Sequence, residues 1–287
     1  MSYSEEKNKV NNSTLYLVAT PIGNLSDITE RAIKVLSEVD FVAAEDTRNS
    51  GLLLSRLGIK KPMISYHDHN RAERGPEIIE RLKGGESCAL ISDAGMPAIS
   101  DPGEDLVALC AHEGVAVSII PGACAAVSAL ALSGLPTRRF CFEGFLPASG
   151  KERKMRLSGL SGESRTLIVY EAPHRLKKTL FELTEAFGED RRIALCRELT
   201  KINEEVLRFT LKGACEYYES VAPRGEYVLV IEGATESTEE DESVDIAQRA
   251  AALIAGGMSQ KDAVRKIAAE TGLSKNKVYA EVLKINE

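Results

Sequence analysis

The sequence predicts two α/β domains with a cleft between them, followed by a small all-α helix-turn-helix, and three observations lead there. Short apolar runs alternate with helically spaced stretches from Thr14 to about Gly233, the pattern of strands connected through helices. Farther along, Val206 to Thr210 follows Ile193 to Leu199 too closely for a helix to intervene. The second sheet is therefore expected to be mixed and partly antiparallel. An acidic break, ATESTEEDES at 234–243, then sets off a helical tail and reads as a solvated linker.

Residues 1–12 are polar and are expected to be disordered. The first domain, 13–120, takes Leu15 to Ala19, Phe41 to Ala44, Met63 to Ser65, Cys88 to Ile91 and Val115 to Ile119 as strands. The boundary falls at Pro121, where a helix from Ala123 to Leu132 opens the second domain, 121–233. Its strands are Phe140 to Glu143, Thr166 to Tyr170, Ile193 to Leu195, Val206 to Thr210 and Tyr227 to Glu232. In the appendage, 244–287, Val244 to Ala255 has an apolar face and Gly256-Gly257 stops it. Ser259, with Asp262 three residues on, caps Gln260 to Glu270, and Thr271-Gly272-Leu273-Ser274 turns into Lys275 to Ile285.

The chain has 287 residues and a net charge of -7, which argues against a surface that coats nucleic acid along its whole length but leaves room for a local basic patch. No apolar run is long enough for a bilayer and Met1 to Asn12 has no apolar targeting core, so a cytoplasmic protein without membrane contact is expected. Its six scattered cysteines read as reduced, buried thiols. His67-Asp68-His69 is the sole metal-like spacing, with no third and fourth ligand elsewhere, so no metal is expected.

The loop Ser92 to Gly103 (SDAGMPAISDPG) carries the strongest functional signal. It leaves the carboxyl end of a buried strand, where open α/β sheets hold small ligands. Its prolines fix the path, its glycines admit a ligand to the backbone, and Asp93 places a carboxylate suited to an ammonium group. The competing reading is an ordinary turn; the Gly-Lys-Ser/Thr and three-glycine phosphate signatures are absent.

Titratable side chains gather at other strand tips: Glu45, Asp46 and Arg48; His67 and His69; Glu171, His174 and Arg175. The first and third groups are candidates for catalysis, against surface ion pairing for the first and helix capping for His174. Arg197, Lys201 and Arg224, with Arg48 and Arg175, are candidate phosphate contacts, as are Lys275 and Lys277 on the last helix. A helical bundle that caps the core or joins two copies is the alternative for that tail. With no tryptophan in the chain, base stacking would fall to Tyr66 or Tyr170.

Eight segments together resemble one family: ATPIGNLSDIT at 19–29, EDTR at 45–48, SYHDHN at 65–70, the 92–103 loop, PGA at 121–123, YEAPHR at 170–175, RELTK at 197–201 and GEYVLVIEG at 225–233. The chain resembles the RsmI family of small-subunit ribosomal RNA (cytidine-2'-O)-methyltransferases, within the tetrapyrrole methylase superfamily, over nearly its whole length. The resemblance implies a tetrapyrrole methylase-like fold, S-adenosylmethionine held in the cleft largely by backbone groups, and a homodimer. The implied substrate is 16S ribosomal RNA or the assembled small ribosomal subunit, at a cytidine of the decoding centre. By motif position, Ile22, Ser92, Asp93, Ala94, Gly95 and Met96 would surround the cofactor from the first domain. Pro121, Cys124, Ala125, Tyr170, Gly225 and the main chain of Glu171 would do so from the second. Met96 and Ala98 stand where the family more often has Thr and Gly, and Cys124 where it has Ser, a better hydrogen-bond donor than a thiol. Two further readings are a tetrapyrrole C-methyltransferase and a non-catalytic nucleic-acid-binding regulator that senses the cofactor.

Overall fold

The computed structural model describes residues 9–235, 239–271 and 274–283, which fall into two compact units divided between Ala234 and Thr235. The first unit opens with β1 (Thr14–Val18), α1 (Glu30–Glu38), β2 (Phe41–Ala44), α2 (Thr47–Arg56), β3 (Met63–Ser65), α3 (Arg71–Lys83), β4 (Cys88–Ile91), α4 (Glu104–His112) and β5 (Ala116–Ile120). These strands form one parallel sheet in the order β3-β2-β4-β1-β5. β2 and β4 are buried at every position, as central strands covered on both faces must be. Alternate strand residues feed two apolar clusters, one completed by Ala32, Val35 and Leu54 from α1 and α2, the other by Ile78, Leu82 and Leu106 from α3 and α4. The chain thus leaves the neighbouring strands β1 and β4 toward opposite faces, which opens a crevice at their carboxyl ends.

The second sheet is built by α5 (Ala125–Ser133), β6 (Phe140–Phe145), α6 (Gly150–Leu160), β7 (Thr166–Glu171), α7 (Pro173–Phe187), β8 (Arg192–Arg197), β9 (Glu205–Thr210), α8 (Leu211–Ser220) and β10 (Tyr227–Ile231). In its order β6-β7-β10-β8-β9, only β6 and β7 run parallel, so the sheet is mixed as expected. α5 packs against one face through Ala126, Ala129 and Leu130. α6, α7 and α8 cover the other through Leu157, Leu176, Leu180, Leu183 and Leu211.

Most strand ends differ from the sequence reading by one or two residues, and a few of the differences have a plain cause. β5 lies one residue later than expected, because its pairing with β1 runs from Thr14 with Ala116 to Val18 with Ile120. α5 starts at Ala125, since Cys124 is extended (φ -145°, ψ 110°) at the cap position. Residues 9–12 are tied to the first sheet rather than disordered: Val10 packs on its core and the Asn11 amide donates to the Tyr16 hydroxyl at 2.8 Å. Residues 1–8 lie outside the described residues.

The second unit is α9 (Glu239–Ala255), α10 (Gln260–Thr271) and α11 (Lys275–Leu283) around Ile246, Ala250, Ile267, Val278 and Val282. α9 begins inside the stretch expected to be linker, as carboxylates at a helix N-terminus are favoured by the helix dipole; residues 236–238 lie outside the described residues. Gly257 (φ +91°) ends α9, and the Ser259 hydroxyl accepts from the Asp262 amide at 3.2 Å to start α10, as expected. Gly272, Leu273 and 284–287 lie outside the described residues. Among the described residues no helix is long and apolar enough to cross a membrane.

Candidate active site

Past the end of β1 the chain runs beside the loop that follows β4. Thr20 and Gly95 exchange two backbone hydrogen bonds, 2.8 and 3.1 Å, and the Thr20 hydroxyl donates to the Ser92 carbonyl. The loop then winds through Gly95 (φ +88°), Ala98 (φ +67°), Ser100 (φ +61°) and Gly103 (φ +135°). Ala98 and Ser100 hold left-handed conformations that cost L-residues about 1–2 kcal/mol each, and such strain concentrates where a backbone must meet a ligand. A second strained turn, with Glu198 at φ +52° and Thr200 at φ +65°, comes from the β8–β9 connection. This turn meets the segment that follows β1: a Cβ on Gly23 would collide with the Lys201 side chain.

Between the two sheets lies a cavity of about 430 Å³, inside the roughly 300–1,000 Å³ range of small-molecule sites. Ile22, Ala94, Gly95 and Met96 line it from the first sheet, and Cys124, Ala125, Tyr170 and Glu171 from the second. Ser92, Asp93, Pro121 and Gly225 do not. Ser92 is buried below the loop, Asp93 is exposed, and Gly225 (φ +79°) turns against Glu198. Sequence reasoning missed Asp101, Glu226, Leu199 and Phe145, which also line the cavity. Asp101 was within reach, since it lies in the same loop. Phe145 was hidden by a bulge in β6.

The lining contains carboxylates and no Lys or Arg. Burial pushes the Asp101 carboxyl up to about 6; the Ser92 hydroxyl, hydrogen-bonded to it, pulls the other way, and the charges of Glu45 and Asp93 push it further up. Glu45 is likewise raised by burial, against the opposing hydrogen bond from the Asp93 amide. Asn49 donates to Asp93 at 2.9 Å. The tips of β2 and β4 thus gather a negative field at the cavity edge, favourable to a cationic ligand.

The other candidates are engaged elsewhere. Asp46 caps α2, accepting from the Arg48 amide and guanidinium at 2.8 Å each, and these bonds hold its carboxyl at about 2. Arg48 is otherwise exposed. The Glu171 carboxylate is fully buried and pairs with Arg175 at 3.2 Å and with the Thr179 hydroxyl, so the cavity meets it chiefly through the backbone that continues into Ala172 and Pro173. Arg175 also donates to the Leu146 carbonyl at 2.7 Å. His174 is exposed on the first turn of α7 and does not line the cavity. Tyr66 is 1 % exposed, buried in the first core, and offers no stacking surface. His67 and His69 meet edge to face, and no group of three or more His, Cys, Asp or Glu among the described residues is placed to hold a metal ion.

A family profile described as tetrapyrrole (corrin/porphyrin) methylases matches residues 14–215. The chain belongs to the tetrapyrrole methylase family. A second profile, the RsmI C-terminal HTH domain, matches residues 240–286. The chain is 49% identical over 267 residues to ribosomal RNA small subunit methyltransferase I of Haemophilus influenzae, covering 92% of this chain and 94% of that one. It is 46% identical over 282 residues to the protein of the same name from Halalkalibacterium halodurans, covering 97% and 96%. Among solved structures, cobalt precorrin-4 methyltransferase matches with a TM-score of 0.58 at 20% identity, over 77% of this chain and 95% of that one. Uroporphyrin-III C-methyltransferase from Thermus thermophilus, complexed with S-adenosylhomocysteine, matches at 0.55 and 19%, over 76% and 97%. These last two likenesses establish the fold.

Within this family member the candidate phosphate contacts are unevenly available. Arg197 pairs with Glu205 at 3.1 Å, and Lys201 with Glu198 at 2.9 Å and Glu226 at 2.7 Å. Arg224 is exposed and makes no ion pair among the described residues. In the second unit Lys275 and Tyr279 are exposed on the first turns of α11, whereas the Lys277 side chain lies outside the described residues.

The loop gives a direct test of the cavity. In Gly95→Val the new Cβ would sit 3.3 Å from Ile22 Cγ2 in a backbone conformation that β-branched residues avoid. Calorimetric affinity for the ligand of the cavity should fall by about tenfold or more, equivalent to at least ~1.4 kcal/mol. An unchanged affinity would make the loop a turn without a binding role.

Proposed function

We propose that the chain transfers a methyl group from S-adenosylmethionine to the 2'-oxygen of a cytidine in small-subunit ribosomal RNA. The observation that carries the reading is the union, in one chain, of the methylase cavity with a C-terminal helical unit. The tetrapyrrole methylase profile ends at residue 215, and the helical unit from Thr235 onward lies beyond it, matched by the RsmI C-terminal HTH domain instead. A ribosomal RNA substrate accounts for it. The assembled small subunit as the form bound, a homodimer and a cytoplasmic location belong to the same proposal.

The cavity suits this cofactor. Ile22, Met96, Tyr170, Leu199 and Val228 offer apolar walls, and Asp101 and Glu226 offer negative charge. Among the described residues the amides of Ala94 and Met96 have no hydrogen-bond partner and remain available to a ligand. When bound, the cofactor supplies an electrophilic methyl on a sulfonium cation. Ile22, Ala94, Gly95, Met96, Cys124, Ala125 and Tyr170, with the main chain of Glu171, would hold it. Cys124 contributes its extended backbone rather than a strong side-chain donor.

The protein's principal task is alignment of oxygen, methyl and sulfur, which in favourable cases supplies roughly 7–11 kcal/mol. Asp101 is the carboxylate of the cavity wall suited to accept the ribose hydroxyl proton, with a raised pKa matched to that task. Glu45 sustains the field around it, Asp46 and Arg48 brace the start of α2, and Glu171 with Arg175 shapes the opposite wall. Arg224, Lys275 and Lys277 would meet phosphates outside the cavity, as would Arg197 and Lys201 by exchanging their carboxylate partners. Small ribosomal subunits purified from cells lacking the gene should accept labelled methyl from S-adenosylmethionine without added metal. Transfer to a tetrapyrrole instead, or cofactor binding with no transfer, would overturn the reading.

A further inference from the structure

β6 carries an irregularity that has a functional consequence. Its pairing with β7 shifts register between Phe142 and Gly144, and Gly144 takes φ +59°. Bulges of this kind re-aim the next side chain. A Cβ at Gly144 would stand 2.7 Å from Ser100 Oγ, so this turn is pressed against the strained 92–103 loop of the other sheet. The residue delivered by the bulge is Phe145. It lines the cavity yet is 55% exposed. Tyr170 anchors it edge to face with ring centroids 5.5 Å apart, and Tyr170 is itself braced by Phe142 at 5.0 Å and by the Ala126 amide on its hydroxyl at 3.2 Å. From the opposite sheet Ile99, held between left-handed Ala98 and Ser100, lines the same cavity and is 46% exposed.

Two large apolar side chains, one at the end of β6 and one on the 92–103 loop, thus line the same cavity from the two sheets while staying largely exposed. The charge of the lining says what can enter between them. With Asp101 and Glu226 present and no Lys or Arg, phosphate is repelled, whereas an uncharged base and ribose are admitted. That is the pattern for a nucleotide turned out of its stack, with its phosphates left outside.

We infer that Phe145, with Ile99 opposite, is the platform on which the base of the target nucleoside stacks while its ribose faces the methyl donor. The inference rests on the methyltransferase reading above and adds a residue for substrate positioning. Aromatic platforms are sequence-tolerant and their loss is felt mainly in substrate affinity.

Phe145→Ala and Phe145→Trp test it with small subunits from cells lacking the gene as substrate. Alanine should raise KM for subunits by about 5- to 150-fold, with the Kd for S-adenosylhomocysteine within about twofold of the parent. Tryptophan should restore KM to within about threefold. A parallel loss of S-adenosylhomocysteine affinity without rescue by tryptophan would make Phe145 a wall of the cofactor site and overturn the inference, as would an unchanged KM. A second readout is independent of turnover: a single-stranded cytidine-containing oligonucleotide added to protein loaded with S-adenosylhomocysteine should shift the Phe145 ring resonances upfield. No shift overturns the platform; a shift with a parent protein inert on subunits overturns the methyltransferase reading and leaves the platform standing.

Discussion

Asp101→Asn should lower kcat by about 10²- to 10⁴-fold, the range of a lost general base, while the protein stays folded. Amide and carboxylate are nearly the same size, and the substitution removes a charge that burial disfavours. In the parent, Asp101 sits at about 6, so the rate should rise as pH increases through that value, where the carboxylate forms; in the variant this rise should vanish. Affinity for the cationic cofactor should follow the same direction, weakening below about pH 6 as a negative charge of the cavity wall is lost. The stability contribution has the opposite sign. The folded value lies above the ordinary 3.8, so the folded state holds this proton more tightly; the stabilisation is full below 3.8 and is lost as pH rises through about 6. The Asn variant should therefore be at least as stable as the parent at neutral pH. A pH profile of kcat that survives the substitution would remove Asp101 from the chemistry.

Arg153→Met carries the largest expected loss of stability. Arg153 is only 2% exposed, and its guanidinium donates to Glu182 at 2.6 Å, to the Thr179 hydroxyl at 2.7 Å and to the Pro147 carbonyl at 2.9 Å. Thr179 in turn donates to Glu171, and Glu171 pairs with Arg175. Methionine fills much of the volume yet leaves these acceptors without their donor. Removing one partner of a buried pair costs about 3–5 kcal/mol, and at about 2–4 °C per kcal/mol for a domain of this size, Tm should fall by roughly 6–20 °C. Glu182→Gln should cost less, since Glu182 is 24% exposed and water can replace part of what it loses. A calorimetric Tm for Arg153→Met indistinguishable from the parent would show that α6 is not held by this network.

The elements legible in the sequence were those whose burial is symmetrical. FVAA and CALI are continuous apolar runs because β2 and β4 are covered on both faces, and their ends matched expectation. β8 is longer than its apolar run predicts because Arg192 and Arg197 at its ends stay in the strand by pairing with Glu232 and Glu205. The 92–103 loop at the cavity was legible because a backbone that turns this sharply needs Gly and Pro. Which carboxylate lines the cavity was not, since the nearer Asp93 turns outward and the chain must bend back through two left-handed residues to place Asp101. The Glu171–Arg175 spacing shows in the sequence as an i, i+4 pair, but its partner Arg153 is distant in the chain and only packing brings it in. Phe145 depends on a register shift that no local pattern announces.

The central claim meets its most direct test in mass-spectrometric mapping of ribose methylation across ribosomal RNA from cells with and without this gene. The expected result is one 2'-O-methylcytidine in the small-subunit RNA that disappears on deletion, returns with the parent gene and fails to return with Asp101→Asn. Identical methylation maps in the two strains, or a lost methyl on a base or a tetrapyrrole in place of a ribose, would contradict it.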